Sequence, residues 1–238
     1  MKTVEFVETV DEQTKLDVLV EVGSVTIRPS TGKEMHIAAT YRHMDVWVER
    51  QGNTVVVRAE QEEDFLQRLV RLFNNDHPKA DLVIDLPVHC EVLAQTVTGT
   101  LEVEGILAPV AARVITGQMK LRNLSGSVYA KTVTGQLTYT GPLSDDSHRF
   151  ETVTGEIVLS LPADTNAELS AQTITGSLNC KLPLTNRQED RHFVGGKLRG
   201  TLGSGAGRIK AKITTGSLTV RSLKEKSPEL LRKEVEFA

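Results

Sequence analysis

Rings are scarce in this chain. Aromatic residues make up 4% of its 238 residues, and Trp47 is the single tryptophan. Proteins that stack bases or sugars do so on aromatic side chains, so both kinds of platform are disfavoured. Cysteine is scarcer still. Cys90 and Cys180 lie far apart with no CxxC spacing, which excludes a disulfide scaffold and predicts two small buried residues. Neither sign of charge dominates: the formal net charge is −3, which leaves no overall basic footprint for nucleic acid or an anionic membrane. No apolar run approaches the length of a membrane span. The opening residues Met1–Glu8 lack the apolar stretch of a signal peptide, so the chain as it stands is expected in the cytoplasm. Catalytic signatures are missing too. His36, His43, His77, His89, His148 and His192 show no metal-ligand spacing. There is no Gly-x-Ser-x-Gly elbow, and the threonines have no paired base. No catalytic, cofactor-binding or metal-binding residue is therefore assigned, no cofactor is expected, and the chain is not expected to be an enzyme.

What is present is a phrase that returns. Thr-(Val/Ile)-Thr-Gly occurs at Thr96–Gly99, Thr132–Gly135, Thr152–Gly155 and Thr173–Gly176, with looser copies at Val114–Gly117, Asn123–Gly126 and Ile213–Gly216. Gly99, Gly117 and Gly135 follow at intervals of 18 residues, Gly155 after 20 and Gly176 after 21. Apolar residues stand two and four places after most of these glycines, as in Leu101 and Val103 or Leu137 and Tyr139, with mostly polar residues between them. That alternation is a strand with one buried face. A further apolar residue stands two before the glycine in most copies: Val97, Ile115, Leu124, Val133, Val153 and Ile174. A repeating unit that cannot bury its apolar face alone must stack on copies of itself. The fold class is therefore all-β: a single-domain β-solenoid, expected right-handed, with coils of about 18–21 residues and short capping helices. Glycine would turn each corner, and threonines beside it would form ladders. An antiparallel sandwich or barrel is the alternative, but hairpins do not require the same letters in the same phase. The phase predicts Leu137 and Leu178 inside and Thr138 outside.

The expected organisation is one domain over 1–238: degenerate N-terminal coils at 15–60, a helical insertion at 61–78, regular repeats at 81–222 and a capping segment at 223–238. Within the insertion, Phe65, Leu66, Leu69, Val70 and Phe73 have helical spacing, and predict a helix over 61–73 that plugs the solenoid. Leu184–Gly205 reads as a polar loop. Ser227-Pro228 opens a second predicted helix, whose Leu230, Leu231, Val235 and Phe237 would cover the last coil.

Three polar clusters invite chemical readings. Asp145-Asp146-Ser147-His148 could hold a cation or an acid/base pair, but its residue types are those of a turn. Glu189-Asp190-Arg191-His192 reads as a solvated charge run. Gly203-Ser204-Gly205-Ala206-Gly207 lacks the Lys-Ser/Thr of a phosphate loop, and Gly207 falls nine before Gly216, which reads as a coil corner. The outward columns carry Thr, Ser, Gln and Lys rather than gathered acids.

The repeated Thr-Val-Thr-Gly-x-Leu, with Val22–Ile27, Leu82–Pro87 and Gly205–Lys210 leading to Gly216–Val220, resembles the bacterial DUF4097 group of β-strand repeat proteins over about residues 15–222. That resemblance implies an adhesin-like role at a surface or membrane and supplies no catalytic residues. Bactofilins, which polymerise through stacked β-helices, are a looser analogy. The expected function is non-enzymatic: an extended surface offered to a protein or cell-envelope component, with no nucleic acid and no strong membrane signal. A self-assembling scaffold is the second reading, and a β-helix lyase or hydrolase acting on envelope polysaccharide is a minor third.

Overall fold

A computed structural model describes residues 1–11, 13–61, 77–191 and 195–223. Among these described residues, fourteen strands join in one sheet. They are β1 (Lys2–Thr9), β2 (Lys15–Ser30), β3 (Glu34–Arg42), β4 (Met44–Gln51), β5 (Thr54–Gln61), β6 (Lys79–Pro87) and β7 (Glu91–Glu104). β8 (Val110–Arg122), β9 (Val128–Thr140), β10 (Ser147–Leu161), β11 (Ala167–Cys180), β12 (Thr185–Arg191), β13 (Gly196–Leu202) and β14 (Gly207–Ser222) complete it. The all-β solenoid expected from the repeats is the fold observed. The two helical segments predicted at 61–73 and beyond 223 fall almost wholly outside the described residues.

Each long strand is a bent rung. In β8, Val110, Ala112 and Val114 of a first limb point inward, Gly117 bends the chain, and Met119 and Leu121 of a second limb point inward again. A turn follows, from which Leu124 also enters the core. Rungs then stack parallel and in register, so that glycine lies on glycine: Gly23 on Gly99, Gly117, Gly135, Gly155, Gly216 and Gly176. These residues have φ between 136° and 147°. A Cβ on Gly135 would stand 1.8 Å from the carbonyl oxygen of Gly117, and the same clash repeats up the column. The corner therefore needs glycine twice over, for its conformation and for the close approach of the rung beneath.

The stack does not follow chain order. From β7 to β10 each rung lies on its predecessor, but β14 is inserted between β10 and β11, and β2 lies between β7 and a rung made of two separate strands, β5 and β6. β5 supplies the first limb of that outermost rung and β6 the second, so this rung is made from two separate stretches of chain. Residues 15–60 are thus not successive coils. β2 is a rung, whereas β3, β4 and β1 pair antiparallel and close the N-terminal end. At the other end the expected loop Leu184–Gly205 contains the antiparallel pair β12 and β13, which extends the first limb of β11. An exposed edge strand needs no apolar alternation, which is why Thr185–Arg191 reads as loop from sequence. Gly126 and Gly207 belong to the opposite side of the rung, in or next to its turns, and the nine-residue half-step is not a second copy of the glycine corner.

One hydrophobic core runs the length of the stack. Tyr139 and Phe150 meet edge to face in it, ring centroids 5.7 Å apart. The Tyr139 hydroxyl donates to the carbonyl oxygens of Leu124 and Pro142, and burial pushes its pKa well up.

Candidate interaction surface

The bend sorts the repeated phrase. Its first residue, three before the glycine, points into the core: Thr96, Thr132 and Thr152 are buried. Its second and third residues point out. Ile115 is 49% exposed, Val133 36%, Val153 40% and Ile174 54%. They stand on neighbouring rungs, interrupted by Thr214, beside an outward row of Thr98, Thr116, Thr134, Thr154, Thr215 and Thr175. The apolar residue two before the glycine is thus a solvent-facing ridge. Leu124, the same letter position in the loose copy, is buried because it sits in a turn.

The outer face of the first limb carries a charge gradient that the net charge conceals. At the N-terminal end it presents Asp17, Glu49 and Glu60, and its cations are matched: Arg58 lies 3.0 Å from Asp17 and Lys15 2.6 Å from Glu91. Leu19, Leu93 and Ala111 follow. From β8 onward the face turns basic. Arg113 stands on β8, Lys131 on β9, Arg149 on β10, Arg208, Lys210 and Lys212 on β14, and Lys197 and Arg199 on β13, in positions that pair across the ladder. Arg149 is held by Glu151 and Arg208 by Glu168. The other six have no carboxylate partner among the described residues. Tyr129 lies between the Arg113 and Arg149 guanidiniums, 5.7 and 5.8 Å from its ring centre. A groove of about 630 Å³ runs along this face, lined by Leu93, Ala111, Tyr129 and Arg149 among others. Sequence reading by bulk charge misses this face. Counting four and six places back from each glycine finds Arg113, Lys131, Arg149, Lys210 and Lys212.

The clusters singled out in sequence do not assemble into a site. Asp145 and Asp146 are exposed at a turn, where Ser144 Oγ donates to Asp146 at 2.9 Å. His148 points the other way, into the core. Its Nε2 lies 2.9 Å from the Ser144 carbonyl oxygen, its Nδ1 has no partner among the described residues, and burial pushes its pKa below the usual histidine value. Glu189 and Asp190 lie on the edge strand β12, with Arg187 3.0 Å from Glu189; His192 is outside the described residues. Gly203 and Gly205 form a tight turn at positive φ before β14. Cys90 and Cys180 are buried and free, each thiol pushed up by burial. Among the described residues no group of three or more His, Cys, Asp or Glu is placed to hold a metal ion. Among the described residues no helix is long and apolar enough to cross a membrane.

Residues 90–221, more than half of the chain, match the family model described as Toastrack DUF4097. The chain belongs to that family. The Toastrack match begins just before β7 and ends in β14, so it takes in the in-order rungs and the C-terminal inversion, and leaves β1–β6 outside. Among solved structures, a candidate cell adhesion protein from Clostridium sporogenes aligns with 15% identity and a TM-score of 0.46, covering 93% of this chain and 100% of that one. A candidate adhesin from Bacteroides fragilis aligns with 11% identity and a TM-score of 0.35, over 92% of this chain and 97% of that one. One from Parabacteroides distasonis aligns with 11% identity and a TM-score of 0.28, over 93% and 97%. No curated protein matches the sequence.

Proposed function

We propose that this Toastrack protein is a non-enzymatic, single-domain solenoid that presents an extended outer surface to a protein or cell-envelope component. One observation carries the reading: the in-register stack holds Ile115, Val133, Val153 and Ile174 in a solvent-facing row along the corner. β-Branched apolar side chains repeated on an outer ridge do nothing for the core, and contiguous exposed apolar surface is a mark of interaction sites. The rigid ladder spaces them at about 4.8 Å per strand, so a partner would meet a preformed line rather than a pocket. The test is retention of the purified protein on cell-envelope preparations, compared with an I115N/V133N/V153N variant whose fold is checked by circular dichroism. Retention of the parent, with a loss of at least about ten-fold in the variant (~1.4 kcal/mol), supports the reading. Release of soluble sugar from the envelope by the parent would replace it with an enzyme.

Self-assembly is the second reading. The second limb of β11 pairs with β14 on one side and with no described strand on the other. An open parallel edge is a template for another chain. Light scattering across a concentration series separates the two: growing particles favour the scaffold, and a constant mass favours the binding surface.

A further inference from the structure

We infer that the basic outer face of the first limb holds a linear anionic polysaccharide laid across the strands. The inference rests on the extended-surface reading and names the chemistry of its partner. Six cations make the case: Arg113, Lys131, Lys210, Lys212, Lys197 and Arg199. None has a carboxylate within ion-pair distance among the described residues, whereas Lys15, Arg28, Arg58, Lys79 and Lys120 elsewhere each have one at 3.0 Å or less. Three carboxylates stand in the row, Glu151, Glu168 and Asp190, but Glu151 is taken by Arg149 and Glu168 by Arg208, so cations outnumber acids there and the six are left without a short ion pair. The six residues run from β8 to β13 across six adjacent strands, a distance of about 24 Å at 4.8 Å per strand. They diverge along a face and do not converge on one point. A single anion would meet one or two of them; a chain of anions meets them all, and each neutralised charge adds a salt-dependent increment to affinity.

Two further observations choose among polyanions. Among the basic strands the ring is Tyr129, already enclosed by two guanidiniums, and the other exposed ring of the outer face, Trp47, stands on β4 at the acidic end, so no free stacking platform for bases lies along the cationic row. Between the cationic strands, β11 turns Ser170 and Gln172 outward, and hydroxyl and amide groups there suit a partner rich in hydroxyls. A second copy of the chain fits less well. The acidic end that would have to meet this face has its Asp17 and Glu91 carboxylates engaged by Arg58 and Lys15.

The experiment titrates the full chain with polygalacturonate, dextran sulfate, neutral dextran and single-stranded DNA by calorimetry at several salt concentrations. Both acidic glycans are expected to bind and neutral dextran to give no heat. K210E/K212E should weaken binding at least about ten-fold and flatten the dependence of log K on log salt by roughly 1.5, the share of two lost contacts. K131Q/R199Q is a second pair that preserves the proposal's exposure to failure if the first misfolds. K120Q, on the second limb, should change affinity less than about two-fold (~0.4 kcal/mol). DNA binding as tight as the glycans, binding unchanged in both double variants, or a loss of self-association in K210E/K212E without any glycan binding would each overturn the inference. If neither glycan binds yet the protein is still retained on cell envelope, the polysaccharide is wrong and the extended surface stands; if retention fails too, both fall.

Discussion

From β7 to β10 the chain climbs one rung at a time; at the two ends it does not. At the C-terminal end it builds the outer rung β11 first, adds β13 and β12 beyond it, then returns to slide β14 beneath. At the N-terminal end it lays down β2, builds the cap strands β3 and β4, and only then supplies the outer rung from β5 and β6. The two ends thus share one device, an outer rung locked in place by a rung from the other side of a cap in sequence. The centre relies on short-range repetition, the ends on long-range pairing. An open solenoid end is an exposed strand edge, and antiparallel caps are how this chain covers most of it.

The largest effect should come from the central corner. Gly135→Ala places a methyl group 1.8 Å from a backbone oxygen that cannot move without shifting its own rung, at a φ of 137°. A loss above about 3 kcal/mol is expected from strain and clash together. Gly52→Ala, in the β4–β5 hairpin of the cap, meets nothing within 4 Å at a φ of 60°. It should cost about 1 kcal/mol. Urea midpoints of the two variants measure the difference, and equal midpoints would contradict the stacked column. The outermost rung bears the same logic out: there the column position is Ala80, whose φ is ordinary, and the Cβ of every other column residue would point toward that end.

Next come the two leucines that the repeat places alike. Leu137 is fully buried between rungs, and Leu137→Ala should cost about 2–5 kcal/mol. Leu178 stands on the open second limb of β11 and is only partly buried, so Leu178→Ala should cost less than about 2 kcal/mol. The sequence predicts both inside, and the phase is right for both. What the period cannot tell is that one rung has a neighbour on each side and the other does not.

That difference marks how far the sequence is legible. The alternation after each glycine places Leu101, Val103, Met119, Leu121, Ile157 and Leu159 in the core, and all are buried. It works because each of those positions is fixed by residues within the same rung. The order of rungs is fixed by pairing between residues 57 or 61 apart, as in Ser24 with Asp81 or Arg221 with Ser160, and one sequence holds no local trace of that. The ridge of Ile115 and Val133 is visible as letters, but the alternation after the glycine does not say which way it points, because the bend puts two successive residues outside. The basic face was hidden by an acidic end that cancels it in the sum.

A smaller, pH-dependent effect should appear where the centre meets the C-terminal inversion. His148 is buried on β10 and pairs across to Ile209 of β14. Burial lowers its pKa in the folded protein, so the unfolded chain, titrating near 6.5, takes up the proton first. Stability is then fully present above the unfolded pKa and falls as pH drops below it. Thermal midpoints measured from pH 8 to pH 5 should decline in the parent and decline less in His148→Val. Parallel curves would mean that the ring is charged or solvated when folded.

The smallest expected change is a gain, and it separates the ladder's chemistry from its shape. Thr132 is fully buried in the column three before the glycine, and its hydroxyl finds no partner among the described residues. Valine already occupies that column at Val20 and Val114. Thr132→Val keeps the branched shape, fills the same space and removes an unsatisfied polar atom, so it should stabilise the protein by about 1 kcal/mol. Thr134→Val, in the outward row, removes a hydroxyl that water already serves and should change stability by less than about 0.5 kcal/mol. If the buried threonine proves the one that cannot be replaced, then its hydroxyl has a partner in solution, and the repeated threonine is kept for that bond. If it is replaced freely, the inward threonine contributes only its shape to stability, and its hydroxyl must be explained by something other than the fold.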